Sequence, residues 1–322
     1  MAQRKNLYRI LATIGDKMKS VAVYYAGIPK NNVKKEKKLV LSNFAQGVST
    51  SDDTIDEIVT FDYKPTDLAV IQGWVHEHSQ SFPHLRFRKL IIDQQRQNGK
   101  HTLAIDSNLF LYRDIENRNT YLRFSLDGIF PNTGCYFNNI VDPTRWEQIK
   151  QDLEIDLKPW TSSGNHILIC LQRNGGWSMG GYDVMDWCLS TIEEIRKYSN
   201  RPIVIRAHPG DRNVKKYLKV NLPGVSISSN KDILDDFKNA WATITYNSSP
   251  GVASAIEGIP VFVTDKDPKK SQAFDVCNTD LRMIESPNMP DRLLWIQKIC
   301  MSHWKFEELK SGKAWNHIRN YL

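Results

Sequence analysis

From residue 166 to residue 264 the chain alternates short apolar runs with amphipathic segments, and no other feature restricts its folding so strongly. The apolar runs fall at 166–172, 202–207, 225–228, 242–246 and 260–264, and helical patterning fills 182–198, 212–218, 232–239 and 250–257. Continuous Ile, Leu and Val without polar alternation is the pattern of strands buried on both faces. Strands that alternate with helices in this way predict a doubly wound parallel sheet. In such a sheet the loops that follow the strands' carboxyl ends gather at one edge, where ligands bind.

Two of those loops carry the chemistry of anion binding. After the strand ending near Tyr246 come Asn247, Ser248, Ser249, Pro250 and Gly251, with Gly258 closing the helix. Pro250 suits the first helical position and the serines suit its cap, so hydroxyls and unpaired amides converge at the positive end of a helix dipole. The strand at 202–207 ends in Arg206, Ala207, His208, Pro209, Gly210, Asp211 and Arg212. A third loop, Gln172 to Gly181, is rich in glycine and places Arg173 one residue past a strand. It fits neither the dinucleotide fingerprint nor a Walker motif, and Arg173 is suited to bidentate pairing with a diphosphate.

Length and composition fit two cores of about 150 residues each. The first half offers strands at 20–25, 68–73 and 101–105, a helix at 83–98, a loop-like or irregular-β stretch at 121–139 and a basic run at Lys34–Lys38 read as an exposed loop. The polar turn formers at 158–165 read as a linker and hinge, and 290–322 reads as two helices carrying Trp295, Trp304 and Trp315. The boundaries expected are therefore 1–160, 161–290 and 291–322. The net charge of +7 is compatible with a polyanionic partner, and five scattered cysteines favour a reduced, metal-free, cytoplasmic protein, in the host cytoplasm if the chain is viral. No run approaches the length of a membrane span.

The His-Pro and Ser-Ser motifs on neighbouring strand ends resemble the donor-binding half of GT-B glycosyltransferases, notably bacterial sialyltransferases, polysialyltransferases and capsule Kdo transferases. The resemblance spans roughly residues 166 to 265. It implies two Rossmann-like domains facing a central cleft, with C-terminal helices packing back, and a nucleotide-sugar co-substrate in place of any cofactor. Carried over residue by residue, it implies that His208, Ser248 and Ser249 contact the donor's phosphates. Arg173, Arg206 and Gly251 complete the expected donor set. Capsule-type enzymes usually carry Glu where this chain has Ala253, and Glu257 comes later in the helix. UDP- and CMP-sugars fit the cradle, as would GDP-sugars.

An inverting transfer needs a base within hydrogen-bond reach of the acceptor hydroxyl. Asp106, directly after the strand at 101–105, is one candidate; His76 and His78 are the rival set, and Asp127 a third. No third ligand accompanies His76 and His78, so no metal is expected. In length and style the chain also resembles phage DNA glycosyltransferases, which implies 5-hydroxymethylpyrimidines in DNA as acceptor and a DNA duplex as partner; the Lys34–Lys38 run, the basic helix at 83–98 and the aromatic stretch at Tyr121–Phe137 would serve phosphate tracking and base stacking. The alternatives are a capsule or lipopolysaccharide glycan, a sugar-nucleotide epimerase, and a non-catalytic nucleotide-binding protein on the same scaffold.

Overall fold

The computed structural model describes residues 17–26, 28, 36–75, 82–113, 121–175 and 177–322, and the chain builds two sheets. The first half contributes β1 (Ser20–Tyr24), α1 (Glu36–Val48), β2 (Thr54–Ile58), β3 (Leu68–Gln72), α2 (Pro83–Gln97), β4 (His101–Ser107), β5 (Leu122–Leu126) and α3 (Pro143–Leu153). Strands β2, β1, β3 and β4 run parallel in that order, and β5 pairs antiparallel with β4. Alternation along β1 divides the two faces: Val21 and Val23 pack with Leu41 and Phe44 of α1, and Ala22 and Tyr24 pack with Phe87 and Ile91 of α2.

The second half follows the alternation read from its sequence. It runs β6 (His166–Cys170), α4 (Val184–Arg196), β7 (Ile203–Arg206), α5 (Val214–Tyr217), β8 (Val225–Ile227), α6 (Ile233–Phe237), β9 (Ala240–Thr245), α7 (Pro250–Ile256) and β10 (Val261–Val263). All five strands are parallel, in the order β10-β9-β6-β7-β8. One face packs Ile167, Ile205 and Ile244 on Val184, Cys188 and Ile192 of α4; the other packs Leu168 and Val261 on Val252 and Ile256 of α7. Gly251 permits that approach, since a Cβ there would lie 3.3 Å from Val261.

The tail joins the two sheets. Helix α8 (Leu293–Cys300) lies on the second sheet's core together with Trp146 and Ile149 of α3. The chain then returns as β11 (His303–Trp304), antiparallel to β5, and ends in α9 (Phe306–Lys310) and α10 (Lys313–Ile318), which pack on α1. Arg145 of α3 bolts this return: it pairs with buried Glu308, donates to the His303 carbonyl and lies 4.1 Å above the Trp304 ring.

Several expectations change. The basic run at Lys34–Lys38 enters a helix from Glu36, with Lys34 and Lys35 outside the described residues, and the stretch read as loop or irregular β begins with the regular strand β5. The first sheet is mixed, because β5 and β11 close its edge antiparallel. The expected hinge at 158–165 is bound to the second sheet: the Lys158 amide donates to Ile256, Thr161 to Gly258, and Arg292 grips the Lys158 carbonyl at 2.6 Å while stacking 3.8 Å over Trp160. Gly258 has φ +80°, and a Cβ there would strike the Pro159 carbonyl at 2.1 Å.

Candidate functional site

Strand order decides where a ligand sits. In the second sheet the chain leaves β6 toward β7 and β8 and returns to place β9 and β10 on its other side, so the switch point lies between the ends of β6 and β9. The Gly-rich turn rises from one lip of that crevice and the serine turn from the other.

A buried polar network holds the two lips together. Gln172 accepts from the Asn247 amide at 3.1 Å and donates to the Ser178 hydroxyl at 2.9 Å. The Asn247 side chain donates to the Ser178 carbonyl at 3.1 Å and to the buried Asp265 carboxylate at 2.6 Å. Both lips are thus held by groups that would be costly to leave unpaired. The third loop is tied in by Asp211, which accepts from the Asn174 amide at 2.9 Å, the Asn213 amide at 2.9 Å and the Tyr217 hydroxyl at 2.6 Å. Burial opposes ionisation of Asp211, but these hydrogen bonds prevail and hold its carboxyl below the usual range.

On this frame the expected donor residues take different parts. The Ser248 and Ser249 carbonyls close the first turn of α7, accepting from Gly251 at 3.1 Å and from Val252 at 2.9 Å. Their hydroxyls do not cap the helix as expected; the Ser248 Oγ is enclosed with no partner, and Ser249 is exposed. Arg173 is exposed and has no ion-pair partner among the described residues. It meets His208 over Gly210, where a Cβ would lie 2.7 Å from the guanidinium and 3.1 Å from the imidazole. His208 accepts the Gly210 amide on Nδ1 at 3.0 Å, which places the neutral ring's proton on Nε2. Burial and the Arg173 charge lower its pKa against the pull of Asp211, so the ring is neutral near pH 7.

Arg206 has another role. Its guanidinium pairs with the buried Asp236 carboxylate and donates to the Lys231 carbonyl at 2.9 Å and the Asn230 carbonyl at 3.2 Å. It is a strut between β7 and the segment before α6, and both terminal nitrogens of the guanidinium are engaged there. Glu257 lies at the opposite end of α7 from the serines, paired with Lys158 and, at 2.9 Å, with Arg113 of the first half.

In the first sheet the switch point lies between β1 and β3. His76 and His78, which follow β3, lie outside the described residues. Asp106 is inside β4, because that strand runs on to Ser107; its carboxylate pairs at 2.8 Å with Arg123, directly opposite on β5, and accepts the Ser107 amide at 2.8 Å. It remains about one-third exposed at the carboxyl edge. Asp127 falls at the other edge, since β5 runs antiparallel; it accepts from the Thr102 amide at 2.8 Å and meets His101 at 2.7 Å. That position removes it as a base for this cleft. Among the described residues no cluster of three or more His, Cys, Asp or Glu is placed to hold a metal ion, and no helix is long and apolar enough to cross a membrane. All five cysteines are free thiols.

The sequence reading missed Arg123, Asn247 and Asp265 as site builders. Asn247 and Asp265 each follow an apolar strand by two residues, which is the one signal available for them; Arg123 shows itself only through strand register.

No family model matches the chain, and no curated protein matches it. Solved structures do. The Thermosulfurimonas dismutans KpsC beta Kdo 2,4 transferase superposes with a TM-score of 0.54 at 14% identity, covering 88% of this chain and 89% of that one. The beta Kdo 2,7 transferase of the same protein gives 0.51 at 14% identity, covering 94% and 99%. The fold is GT-B. A Methanocaldococcus jannaschii UDP-GlcNAc 2-epimerase solved with UDP-GlcNAc and UDP covers 94% of this GT-B chain and 99% of its own at 11% identity, but its TM-score of 0.37 is too low to bear on the reaction.

Proposed function

We propose that the protein is a glycosyltransferase that takes a sugar from a nucleotide-sugar donor to a hydroxyl acceptor. The observation that carries this reading is the set of unspent donors at the second sheet's switch point: the enclosed Ser248 Oγ, the Arg173 guanidinium and the Nε2–H of a neutral His208. A fixed array of donors with no internal acceptor is suited to diphosphate or phosphate oxygens. As the glycosidic bond breaks, negative charge grows on the leaving phosphate, and preorganised donors favour that state over the ground state. Gly251 lets α7 pack close on the sheet, which sets the height of the serine turn at the crevice. A UDP- or CMP-sugar fits this description.

In the same reading Asp106 takes the acceptor hydroxyl's proton, with Arg123 holding the carboxylate in place across the strand pair. For the acceptor, a glycan is favoured over hydroxymethylated DNA. On α2, the basic helix expected to track a duplex, Lys89 is paired with Asp93 at 2.6 Å and Arg88 is buried, which leaves Arg86 and Arg96 as its exposed cations.

The test is a thermal-shift panel of CMP, UDP and GDP and their sugars, followed by product analysis with glycan acceptors and with plain and hydroxymethylated duplexes. A rise in Tm for one nucleotide family, lost in Arg173→Ala, is the expected result. No rise with any nucleotide overturns the donor site, and turnover without an acceptor converts the reading to an epimerase.

A further inference from the structure

Outside the cleft, one stretch of the second half carries cations and no acidic residue. From Arg212 to Lys231 there are five cations, Arg212, Lys215, Lys216, Lys219 and Lys231, and no acidic residue. All five are exposed, and none has an ion-pair partner among the described residues. Elsewhere on the second half Lys197 is answered by Glu194, Arg201 by Glu285, Lys238 by Asp235 and Arg282 by Asp280.

The fold makes this stretch one continuous face. It leaves β7 at the carboxyl edge beside His208, descends through α5, turns at Pro223 and Gly224, and climbs again as β8. Strand β8 is the last of its sheet, so its outer side has no neighbour. Within the basic frame two aliphatic side chains stand out into solvent, Leu222 at 40% and Ile227 at 43% exposure. Tyr217, the only aromatic residue of the stretch, is half-buried with its hydroxyl bound to Asp211.

We propose that this face docks on an anionic phospholipid bilayer. Unanswered lysines at a surface are attracted to anionic headgroups, each contributing cooperatively within a Debye length. Exposed aliphatics gain by entering the acyl boundary, which a hydrophilic polyanion does not offer them. A single-stranded nucleic acid would call for stacking platforms, and the one aromatic ring of the stretch has its hydroxyl committed to Asp211; a duplex offers phosphates but no apolar boundary for Leu222 and Ile227. Docked there, the donor-side rim of the cleft lies against the membrane surface, because Arg212 and Lys231 flank the His208 loop. The inference stands apart from the transfer reading, since vesicle binding needs no turnover.

The test is co-sedimentation of the full chain with phosphatidylcholine vesicles, with and without phosphatidylglycerol, at low and high salt. Binding to the anionic vesicles alone, weakened by salt, is expected. The triple variant Lys215→Glu, Lys216→Glu, Lys219→Glu should lose roughly a hundredfold or more in partitioning, and Leu222→Asp should lose less, with Tm unchanged in both. Equal binding to neutral vesicles, no binding at low salt, or an undiminished triple variant overturns the proposal. So does retention on plain duplex DNA that depends on the three lysines while Leu222→Asp has no effect on either surface.

Discussion

The carboxyl edges of the two sheets differ in their electrostatics. At the second sheet's edge the cation and the hydroxyl nearest the switch point, Arg173 and Ser248, are left unspent, and the protein's own acceptors are turned inward to hold the lips. At the first sheet's edge the charges cancel: Asp106 and Arg123 pair across β4 and β5. The contrast shows how a duplicated architecture divides labour. In the proposed transfer reading, the side that binds the anion keeps donors open over a buried network, and the side that moves a proton keeps a single carboxylate oriented by a partner.

The comparison breaks most visibly if the first edge is altered. Asp106→Asn is expected to lower turnover by about a thousandfold, or about 4 kcal/mol in the barrier, while the donor-induced rise in Tm is retained. Unchanged turnover would move the base to His76 or His78. Next in size, Arg206→Gln leaves the buried Asp236 carboxylate unpaired and should cost about 3–5 kcal/mol of stability in urea unfolding. Its donor affinity in the folded state should be unaffected, and a large loss there would restore Arg206 to the donor set.

His208→Ala is expected to cut turnover about a hundredfold with a Tm close to the parent's. A collapse of Tm instead would make His208 a packing residue. The smallest effect sharpens the comparison from outside the cleft. Buried His303 donates from Nδ1 to the Ile299 carbonyl at 2.8 Å and accepts the Leu109 amide on Nε2 at 3.2 Å, and burial pushes its pKa down to about 3. The unfolded chain therefore takes up a proton below about pH 6.5 that the folded chain refuses, so stability falls with falling pH by about 1.4 kcal/mol per unit from this group. His303→Gln should be less stable at neutral pH but lose that part of the slope between pH 6 and 4; an unchanged slope would show that His303 is protonated in place.

Legibility followed the range of the interactions. The five strands of the second sheet were readable because each is a local apolar run, and the two anion-binding loops because Ser248, Ser249 and His208 sit directly after such runs. Strand β2 was missed because every residue in it is at least partly exposed, which leaves no apolar signature. Strand β11 was missed because two residues carry no periodicity at all; it exists through pairing with β5 from some 180 positions away. Arg206 and Asp106 were read from the same kind of position as His208, at strand ends, and nothing local shows that Asp236 or Arg123 would claim them.

The sequence alone therefore determined the doubly wound second sheet, its ligand edge and the residue types waiting there, because hydrophobic periodicity and turn chemistry act over a few residues. Only the tertiary structure decided which charges remain open. Whether Arg173 is free and Arg206 spent depends on acceptors that the fold brings from distant segments, and Coulomb and hydrogen-bond energies are settled by distance in space, not along the chain.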